Sequence, residues 1–501
     1  MSNRTHAPWR VLALVLLTVT LLVPWAQPSF ASPEVPADAT RVCETCEVTG
    51  LQAAIDAAAD GDTILVEGGQ FDGPIEIARP LTLIGTDGAT IDGHGEGTIV
   101  RITAPDVTLQ GFTIRNSGSN FDKEDSGVYV DRGDRARILD NEILDTLFGV
   151  NVAQSPGIVI SGNHIIGKDV EMGVRGDGIK VWYSHETEIT HNNVERSRDL
   201  LVWYSNHVAV NDNVVVDGRY GFHFMNSDDG EASRNHLIDN SVGIYLMYGK
   251  RFTIHDNLLQ GSRGPSGHGL GLKEIDGVDV VGNIIHDNRI GVYIDTSPLS
   301  YDVYNTFDTN LIAYNDIGLG LLPSSTRNIF TRNSMVDNLE QVSVLGGGPL
   351  GENTWSVDGV GNFWSDYAGY DADGDGIGDV AFQNQQLSEQ LMTTWPVLQL
   401  FRFSVAETAV DFGSKAVPVF RKEPIFEDEY PLVSPVTPTN VTVPNRGQDT
   451  ATSRLWSLAL LGLAGAAVAW GAMAHRPARR YRGTATSLPL DPSLARHRGR
   501  A

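Results

Sequence analysis

Residues 199–249 read DLLVWYSNHVAVNDNVVVDGRYGFHFMNSDDGEASRNHLIDNSVGIYLMYG, and this stretch decides the fold. It holds three related strings, DLLVWYS, GFHFMNS and GIYLMYG, which begin at residues 199, 221 and 243, so one repeat is 22 residues long. An Asn follows each string, at Asn213, Asn235 and Asn257. Short β-branched strands with an Asn-bearing turn at this period are typical of a parallel β-helix, in which each coil buries its apolar face against the next.

The repeat extends beyond this stretch in both directions. We therefore predict an all-β protein, a right-handed parallel β-helix with a capping helix at its N-terminal end and a transmembrane helix near the C-terminus. The turn residues should stack into a ladder of side-chain hydrogen bonds. The predicted ladder consists of Asn141, Asn163, Asn193, Asn213, Asn235, Asn257, Asn283, Asn310 and Asn333.

Alternation within the strings predicts which side chains face outward. The second and fourth positions are apolar and should fill the core, so the third and fifth positions should point outward. The third-position column is Tyr129, Asn151, Lys180, Leu201, His223, Tyr245, Gly271, Tyr293 and Gly320. The fifth-position column is Asp131, Ala153, Trp182, Trp203, Met225, Met247, Lys273, Asp295 and Leu322.

Histidine and methionine come together in these columns. His223 and Met225 share one strand face, and Met247 lies one coil beyond Met225. Imidazole and thioether groups suit Cu(I), whereas hard cations prefer oxygen ligands. The columns therefore predict a copper site formed by His223, Met225 and Met247.

Large side chains adjoin these donors on the same face. Contiguous exposed apolar groups usually mark a contact surface, so we expect a partner or ligand surface here. Its residues are Trp182, Trp203, Tyr245 and Lys273. The alternative is that the segment 352–400 covers the stripe and makes it part of the core.

Both ends of the chain carry membrane-related signals. Arg4 and Arg10 flank the start of an apolar run, 11–23, and a small-x-small site ends at residue 31, as in a secretory signal peptide. An uncleaved anchor is the alternative.

Residues 455–474 are apolar and uncharged, and a basic segment follows them, which predicts a membrane span with the C-terminus in the cytoplasm. A short buried helix is the other possibility for this second run.

The charge of the exported part is strongly acidic. Of 37 Lys and Arg, nine lie in residues 1–31 and 475–501, and only one of the 62 Asp and Glu does. Residues 32–474 thus carry 28 basic and 61 acidic residues, a net charge of −33. Such a surface repels nucleic acid, which we exclude as a partner, and it favours cations or basic partners. It also suits simple solubility or a salty habitat.

Two further clusters are candidate structural sites. Cys43 and Cys46 are the only cysteines, and outside the cytoplasm they are expected to form a disulfide, with a soft-metal thiolate pair as the alternative. Asp371, Asp373, Asp375 and Asp379 alternate with small residues, as in calcium loops. The position at which an EF-hand needs Glu is Phe382, so a non-EF calcium loop and a plain acidic turn both remain open.

The N-terminal cap is predicted from a helix start signal. Residues 49–52, TGLQ, fit a capping box in which Thr49 is the N-cap and the Gln52 side chain bonds the backbone N–H of Thr49. The expected domains are a signal peptide (1–31), an N-terminal cap (32–62), the β-helix (63–348), a C-terminal cap region with the Asp-rich loop (349–416), a Pro/Thr-rich linker (417–454), the transmembrane helix (455–474) and a basic cytoplasmic tail (475–501).

Six strings in this order resemble the NosD family, the maturation factors of nitrous oxide reductase. They are GDGIKVWYS, RDLLVWYS, RYGFHFMNSDD, VGIYLMYGKR, RGPSGHGLGLKEID and GNFWSDYAGYDADGDGIGD, and the resemblance covers roughly residues 45–400. It implies an extracytoplasmic assembly factor, not an enzyme. Such a factor works with the ATPase and permease of an ABC transporter and with a copper chaperone, and it supplies Cu(I) for the copper–sulfide centres of nitrous oxide reductase. The predicted C-terminal span departs from the usual periplasmic form.

Two other function classes are compatible with a β-helix. Many β-helix proteins are polysaccharide lyases, hydrolases or epimerases, which need paired carboxylates or a base beside a basic residue. The residues available for such a carbohydrate-active enzyme are Asp228, Asp229, Asp295, Lys273 and Glu274, with Trp182 and Trp203 to stack on sugar rings. A surface adhesin would need many more repeats and would have no His/Met patch.

Overall fold

Three long parallel sheets wind around one apolar core in the computed structural model. It describes residues 35–346, 349–384, 387–416 and 424–440. Apart from the pairs at the two ends, each strand pairs with the strand three places further along the chain, so successive coils stack one strand spacing apart, about 4.8 Å. The predicted parallel β-helix of the right-handed type is thereby confirmed.

The strands of each sheet follow one another along the rod. Sheet 1 has 13 strands: Thr40–Val42, Thr63–Glu67, Thr82–Thr86, Thr108–Gln110, Arg137–Leu139, Val159–Ser161, Glu188–Thr190, Ala209–Asn211, Glu231–Ser233, Lys250–His255, Asp276–Val281, Asn305–Asp308 and Asn328–Thr331. Sheet 2 has 12: Ile75–Ile77, Val100–Ile102, Ser126–Asp131, Phe148–Ala153, Ile179–Trp182, Asp199–Trp203, Tyr220–Met225, Val242–Met247, His268–Lys273, Ile290–Asp295, Ile317–Leu321 and Glu340–Val344. Sheet 3 has 13: Gln70–Asp72, Thr90–Asp92, Thr113–Arg115, Glu142–Thr146, His164–Gly167, Asn193–Glu195, Val214–Val216, His236–Ile238, Leu258–Gln260, Ile284–His286, Leu311–Ala313, Ser334–Val336 and Phe363–Trp364.

Few helices accompany the sheets within the ranges that the structure describes. The α-helices are Leu51–Ala57, Leu387–Thr394 and Val405–Ala416, and the 3₁₀ helices are Met172–Val174 and Pro396–Phe401. A short antiparallel pair, Phe382–Gln383 with Glu427–Asp428, lies beside the C-terminal end of the rod. There Trp355, Trp364, Phe382 and Phe426 pack together and join the core.

The N-terminal helix forms as predicted, but its capping box was wrong. The N-cap is Gly50, and no side chain caps the helix. The Gln52 side chain instead bonds the backbone of Glu76: Glu76 N–H donates to Oε1 (2.8 Å), and Nε2 donates to the carbonyl (3.0 Å). Glu76 lies in the first strand of sheet 2, whose outer edge pairs with no further strand of the described part of the chain. The Gln52 side-chain amide therefore satisfies the backbone N–H and C=O of Glu76 at a sheet edge, as the peptide group of a further strand would.

A continuous asparagine ladder forms, with one correction to the prediction. Asn192, not Asn193, is the rung between Asn163 and Asn213, because Asn193 already begins a strand of sheet 3 and bonds Glu195. At the C-terminal end Asn333 bonds Asn362, whose backbone N–H donates to the buried Asp428 (2.8 Å). The observed ladder is Asn141, Asn163, Asn192, Asn213, Asn235, Asn257, Asn283, Asn310, Asn333 and Asn362.

The described part of the Pro/Thr-rich linker folds back along the rod. Ser334 exchanges two hydrogen bonds with the backbone of Val436, at 2.7 and 2.8 Å, and Asn440 reaches Asp256 at 3.4 Å. The predicted signal peptide, the span 455–474 and the basic tail lie outside the described residues. Within the described ranges, every helix is too short or too polar to cross a membrane.

Candidate metal centre

The outward columns of sheet 2 have the predicted register. Third-position residues pair in order from Tyr129 through His223 to Gly320, and fifth-position residues pair from Asp131 through Met225 and Met247 to Asp295. Leu322 is the exception, because the last matching strand ends at Leu321. The register therefore places the His and the two Met side chains on one outer face in adjacent coils.

Two of the predicted copper ligands are in direct contact. His223 Nε2 lies 3.3 Å from Met247 Sδ, at a part-buried position. Met225 belongs to the same strand as His223, and its Cα partner in the next coil is Met247. One imidazole nitrogen and two thioether sulfurs therefore occupy neighbouring positions, a donor set that suits Cu(I) and is poor for hard cations.

A buried carboxylate holds the other side of the imidazole. His223 Nδ1 lies 3.2 Å from Asp199 Oδ2, and the Asp199 side chain has no solvent exposure. Arg219 binds the same carboxylate with two guanidinium nitrogens, one of which is 2.9 Å from Oδ1. Tyr220 stands edge-on to the imidazole, with 4.8 Å between ring centroids. The ring of His223 is thus fixed from two sides.

A second buried carboxylate, Asp177, lies near this group and behaves differently. Burial and then the charge of Asp199 raise the pKa of Asp177 to about 7. Burial also acts to raise the pKa of Asp199, but hydrogen bonds from His223 and Arg219 outweigh it and the net shift is downward. Asp199 is therefore the ionised member of the pair.

An aromatic stack continues from the donors along sheet 2. Tyr245 stacks on Tyr220 at 5.7 Å, and His268 stacks between Tyr245 at 6.1 Å and Tyr293 at 4.3 Å. Burial lowers the pKa of His268 to about 3, so its imidazole is neutral. The sequence columns did not include His268, because His268 lies one residue before the repeat string that begins at residue 269.

The stripe beside the donors is covered in part, by an earlier loop. Glu124 bonds both Asn151 and Lys180, and Phe121 packs against Phe148 at 5.4 Å. Trp182 and Trp203, next along the stripe, are half-buried and contact the tyrosines that follow them. Those two rings, Tyr183 and Tyr204, stack at 4.9 Å. Lys273 extends over Tyr248, and a hydrogen bond to that phenol raises the pKa of Lys273.

The two other predicted clusters lie far from this face along the chain. Sγ of Cys43 and Sγ of Cys46 are joined in a disulfide. Carboxylate oxygens of Asp371, Asp373 and Asp375 come within 4.8 Å of one another, and hydrogen bonds from Gly376 and Gly374 lower the pKa of Asp371. Asp379 is outside this carboxylate cluster and accepts the backbone N–H of Ala372 at 2.6 Å.

The carboxylates of the enzyme alternative have structural partners. Arg251 binds Asp229 through two bonds of 2.6 and 2.7 Å, and Asp228 accepts the backbone N–H of Lys250. Asp295 accepts the hydroxyl of Thr296. Lys250 Nζ also lies 3.6 Å from Asp228, and Arg251 lies 3.9 Å from it, so the Asp228–Asp229 pair forms ion pairs with basic side chains of the next coil.

The fold and this face together define a parallel β-helix protein with an outward soft-donor site. The chain belongs to the NosD family. Residues 161–369 match the family model described as periplasmic copper-binding protein (NosD). A protein of Stutzerimonas stutzeri named "Probable ABC transporter binding protein NosD" is 30% identical over 378 residues, 73% of this chain and 85% of that protein. A protein of the same name from Pseudomonas aeruginosa is 28% identical over 402 residues, 75% of this chain and 89% of its own length.

Solved structures match about three fifths of the chain at low sequence identity. The mannuronan C-5 epimerase AlgE6 A-module of Azotobacter vinelandii is 17% identical, with a TM-score of 0.46 over 61% of this chain and 93% of that module. The N-terminal fragment of bacteriophage Phi29 gene product 12 is 14% identical, with a TM-score of 0.45 over 62% of this chain and 68% of that fragment.

Proposed function

We propose that this protein carries Cu(I) outside the cytoplasm, held by His223, Met225 and Met247, for the assembly of the copper–sulfide centres of nitrous oxide reductase. The observation that carries the proposal is the 3.3 Å contact between His223 Nε2 and Met247 Sδ on the outer face of sheet 2. Soft nitrogen and sulfur donors select Cu(I). Membership of a family described as periplasmic copper-binding supports the same ion and the same side of the membrane.

The position of the donors fits a carrier better than a store. His223 is 9% exposed and both methionines are part-buried, so an ion there would be shielded yet within reach of a docking protein. The adjoining residues Trp182, Trp203, Tyr245 and Lys273 are the proposed docking surface for the protein that gives or takes copper. The protein that gives copper is a copper chaperone, and the protein that takes it is nitrous oxide reductase.

The third proposed partner is an ABC transporter, with its ATPase and permease. Relatives named as ABC transporter binding proteins support this partner. The helical segment at the C-terminal end of the rod presents an unusually apolar surface: Trp395, Leu400 and Val405 are 61%, 84% and 86% exposed. Contiguous exposed apolar side chains mark interaction sites, so we assign this segment to the transporter contact. The span at 455–474 would hold the protein at the same membrane.

The carbohydrate-active enzyme is not favoured. Three of its four candidate carboxylates, Asp228, Asp229 and Asp295, are bonded to Lys250, Arg251 and Thr296, and the family relatives are named for transporter binding. An assay for reducing or unsaturated sugar ends released from uronate polymers addresses this alternative directly. We expect no release by the purified protein.

A Cu(I) competition titration tests the proposal. The variant His223→Gln, Met225→Leu and Met247→Leu keeps side-chain volume but removes all three donors. We expect the wild-type protein to take Cu(I) from a chromogenic chelator and the triple variant to leave it there. The matched control, His207→Gln with Met172→Leu, changes an exposed His and a Met outside the site and should titrate like wild type. Equal titration of the triple variant and the wild type would contradict the proposal.

A further inference from the structure

Asp199 differs from the residue found at the same position in the neighbouring coils. In nine aligned strings, from GVYVDRG at residue 127 to GLGLLPS at residue 318, the first residue is Gly in eight and Asp199 in one. The site is crowded: a Cβ added at Gly221 would come within 2.7 Å of the Gly243 carbonyl, and one at Gly149 within 2.3 Å of the Gly178 carbonyl. Between these crowded inner coils, a side chain at this position therefore requires a local change of backbone.

That change is visible in the strand pairing. The register between the strands Asp199–Trp203 and Tyr220–Met225 shifts between Asp199 and Leu201, so that Asp199 pairs with Tyr220. Bulges of this kind re-aim side chains and often adjoin functional sites. Here the shift brings the Asp199 carboxylate to His223 Nδ1, 3.2 Å away, in the next coil.

The contact fixes which imidazole nitrogen carries the hydrogen. A carboxylate in contact with Arg219 is ionised and only accepts hydrogen bonds, so the proton between it and the ring lies on Nδ1. In the neutral ring Nε2 then keeps its lone pair, and Nε2 is the atom that lies beside Met247 Sδ. The hydrogen bond that one ring nitrogen makes decides which nitrogen is free to bind a metal.

We infer that Asp199 is a positioning residue for the copper site: it holds His223 as the Nδ1–H tautomer with the Nε2 lone pair turned toward Met247. The inference rests on the proposed function for the identity of the bound ion. The tautomer itself is a property of the metal-free protein. Arg219 assists by holding Asp199, and the edge of Tyr220 limits rotation of the ring.

The test uses the change Asp199→Gly, which restores the residue that the repeat has in every other string. Removing Asp199 alone would leave Arg219 without its carboxylate, so the variant is Asp199→Gly with Arg219→Gln. The His223 imidazole is observed by ¹⁵N NMR in metal-free protein, at about pH 8.5, where an ordinary imidazole is neutral. Circular dichroism confirms that both proteins are folded.

We expect the Nδ1–H tautomer in the wild type and its loss in the variant, accompanied by a fall of about 10–100-fold in Cu(I) affinity. The Nε2–H tautomer in the wild type, or unchanged Cu(I) affinity in the variant, would overturn the assignment of Asp199. If the wild type does not bind Cu(I) at all, the proposed function is wrong. The tautomer is measured in metal-free protein, so that measurement still tests the role of Asp199.

Discussion

Replacing Asn192 by Ala is expected to destabilise the protein by about 4–6 kcal/mol, and the same change at Asn193 by less than about 1 kcal/mol. Asn192 Oδ1 accepts from the backbone N–H and from the side chain of Asn163, both at 3.0 Å. Its Nδ2 donates to the Ile160 carbonyl at 2.9 Å and to Asn213 at 3.0 Å. All four bonds are buried, and the Ala variant makes none of them.

The magnitude follows from those four bonds. Three of them contribute about 1 kcal/mol each, and the orphaned backbone N–H of Asn163 adds about 1–3 kcal/mol. Asn193, one residue further on, makes a single side-chain bond, to Glu195 at 3.0 Å, and its Oδ1 is buried with no partner among the described residues. Asn193→Ala is therefore a matched control of the same chemistry at an adjacent position.

Hydrogen exchange measures this effect locally. A solenoid coil contacts only its neighbours, so urea melts of the whole rod can blur a change confined to two coils. We expect faster exchange in the strands Val159–Ser161 and Glu188–Thr190 for Asn192→Ala and little change for Asn193→Ala, with urea melts giving the same order. Equal destabilisation by the two variants, or a larger effect at Asn193, would refute the ladder register.

Three further outcomes are expected. Because the folded protein raises the pKa of Asp177 from the ordinary 3.8 to about 7, the stabilising contribution of this group is present below about pH 4 and is lost as the pH rises to about 7. Urea melts should therefore find Asp177→Asn more stable than wild type at about pH 8, by at most about 4 kcal/mol, and nearly equal to it at about pH 4. Asp371→Asn with Asp373→Asn should abolish a calcium-binding heat in calorimetry that Asp379→Asn retains, since Asp379 faces Ala372; no heat in the wild type would leave a plain acidic turn. Trp395→Ser with Leu400→Ser should weaken binding to vesicles containing the transporter without changing Cu(I) affinity, and unchanged vesicle binding would move the contact elsewhere.

Periodicity made most of the rod predictable. Alternation has a period of two residues, and one face of each strand is buried, so a slip of one residue would expose Ile or Val. The outward columns through His223, Met225 and Met247 follow directly from that constraint. The error at Asn193 arose where two Asn residues are adjacent, because spacing alone does not decide which of them occupies the turn.

The supporting residues could not be derived from spacing. Asp199 reaches His223 through a register shift, and Arg219 and Tyr220 precede their repeat string, where alternation predicts nothing. One signal was present in the sequence: Asp199 is the only non-Gly residue at the first position of the nine strings. The capping box at Gln52 failed for a related reason, because the unpaired strand edge at Glu76 competes for the same side chain.

X-ray absorption at the copper edge of Cu(I)-loaded protein identifies the atoms that bind copper. We expect one imidazole nitrogen and two sulfur scatterers in the wild type, with one sulfur lost in Met225→Leu and one in Met247→Leu. A spectrum without sulfur, or sulfur scattering unchanged in both variants, would contradict a copper site on the outer face of sheet 2.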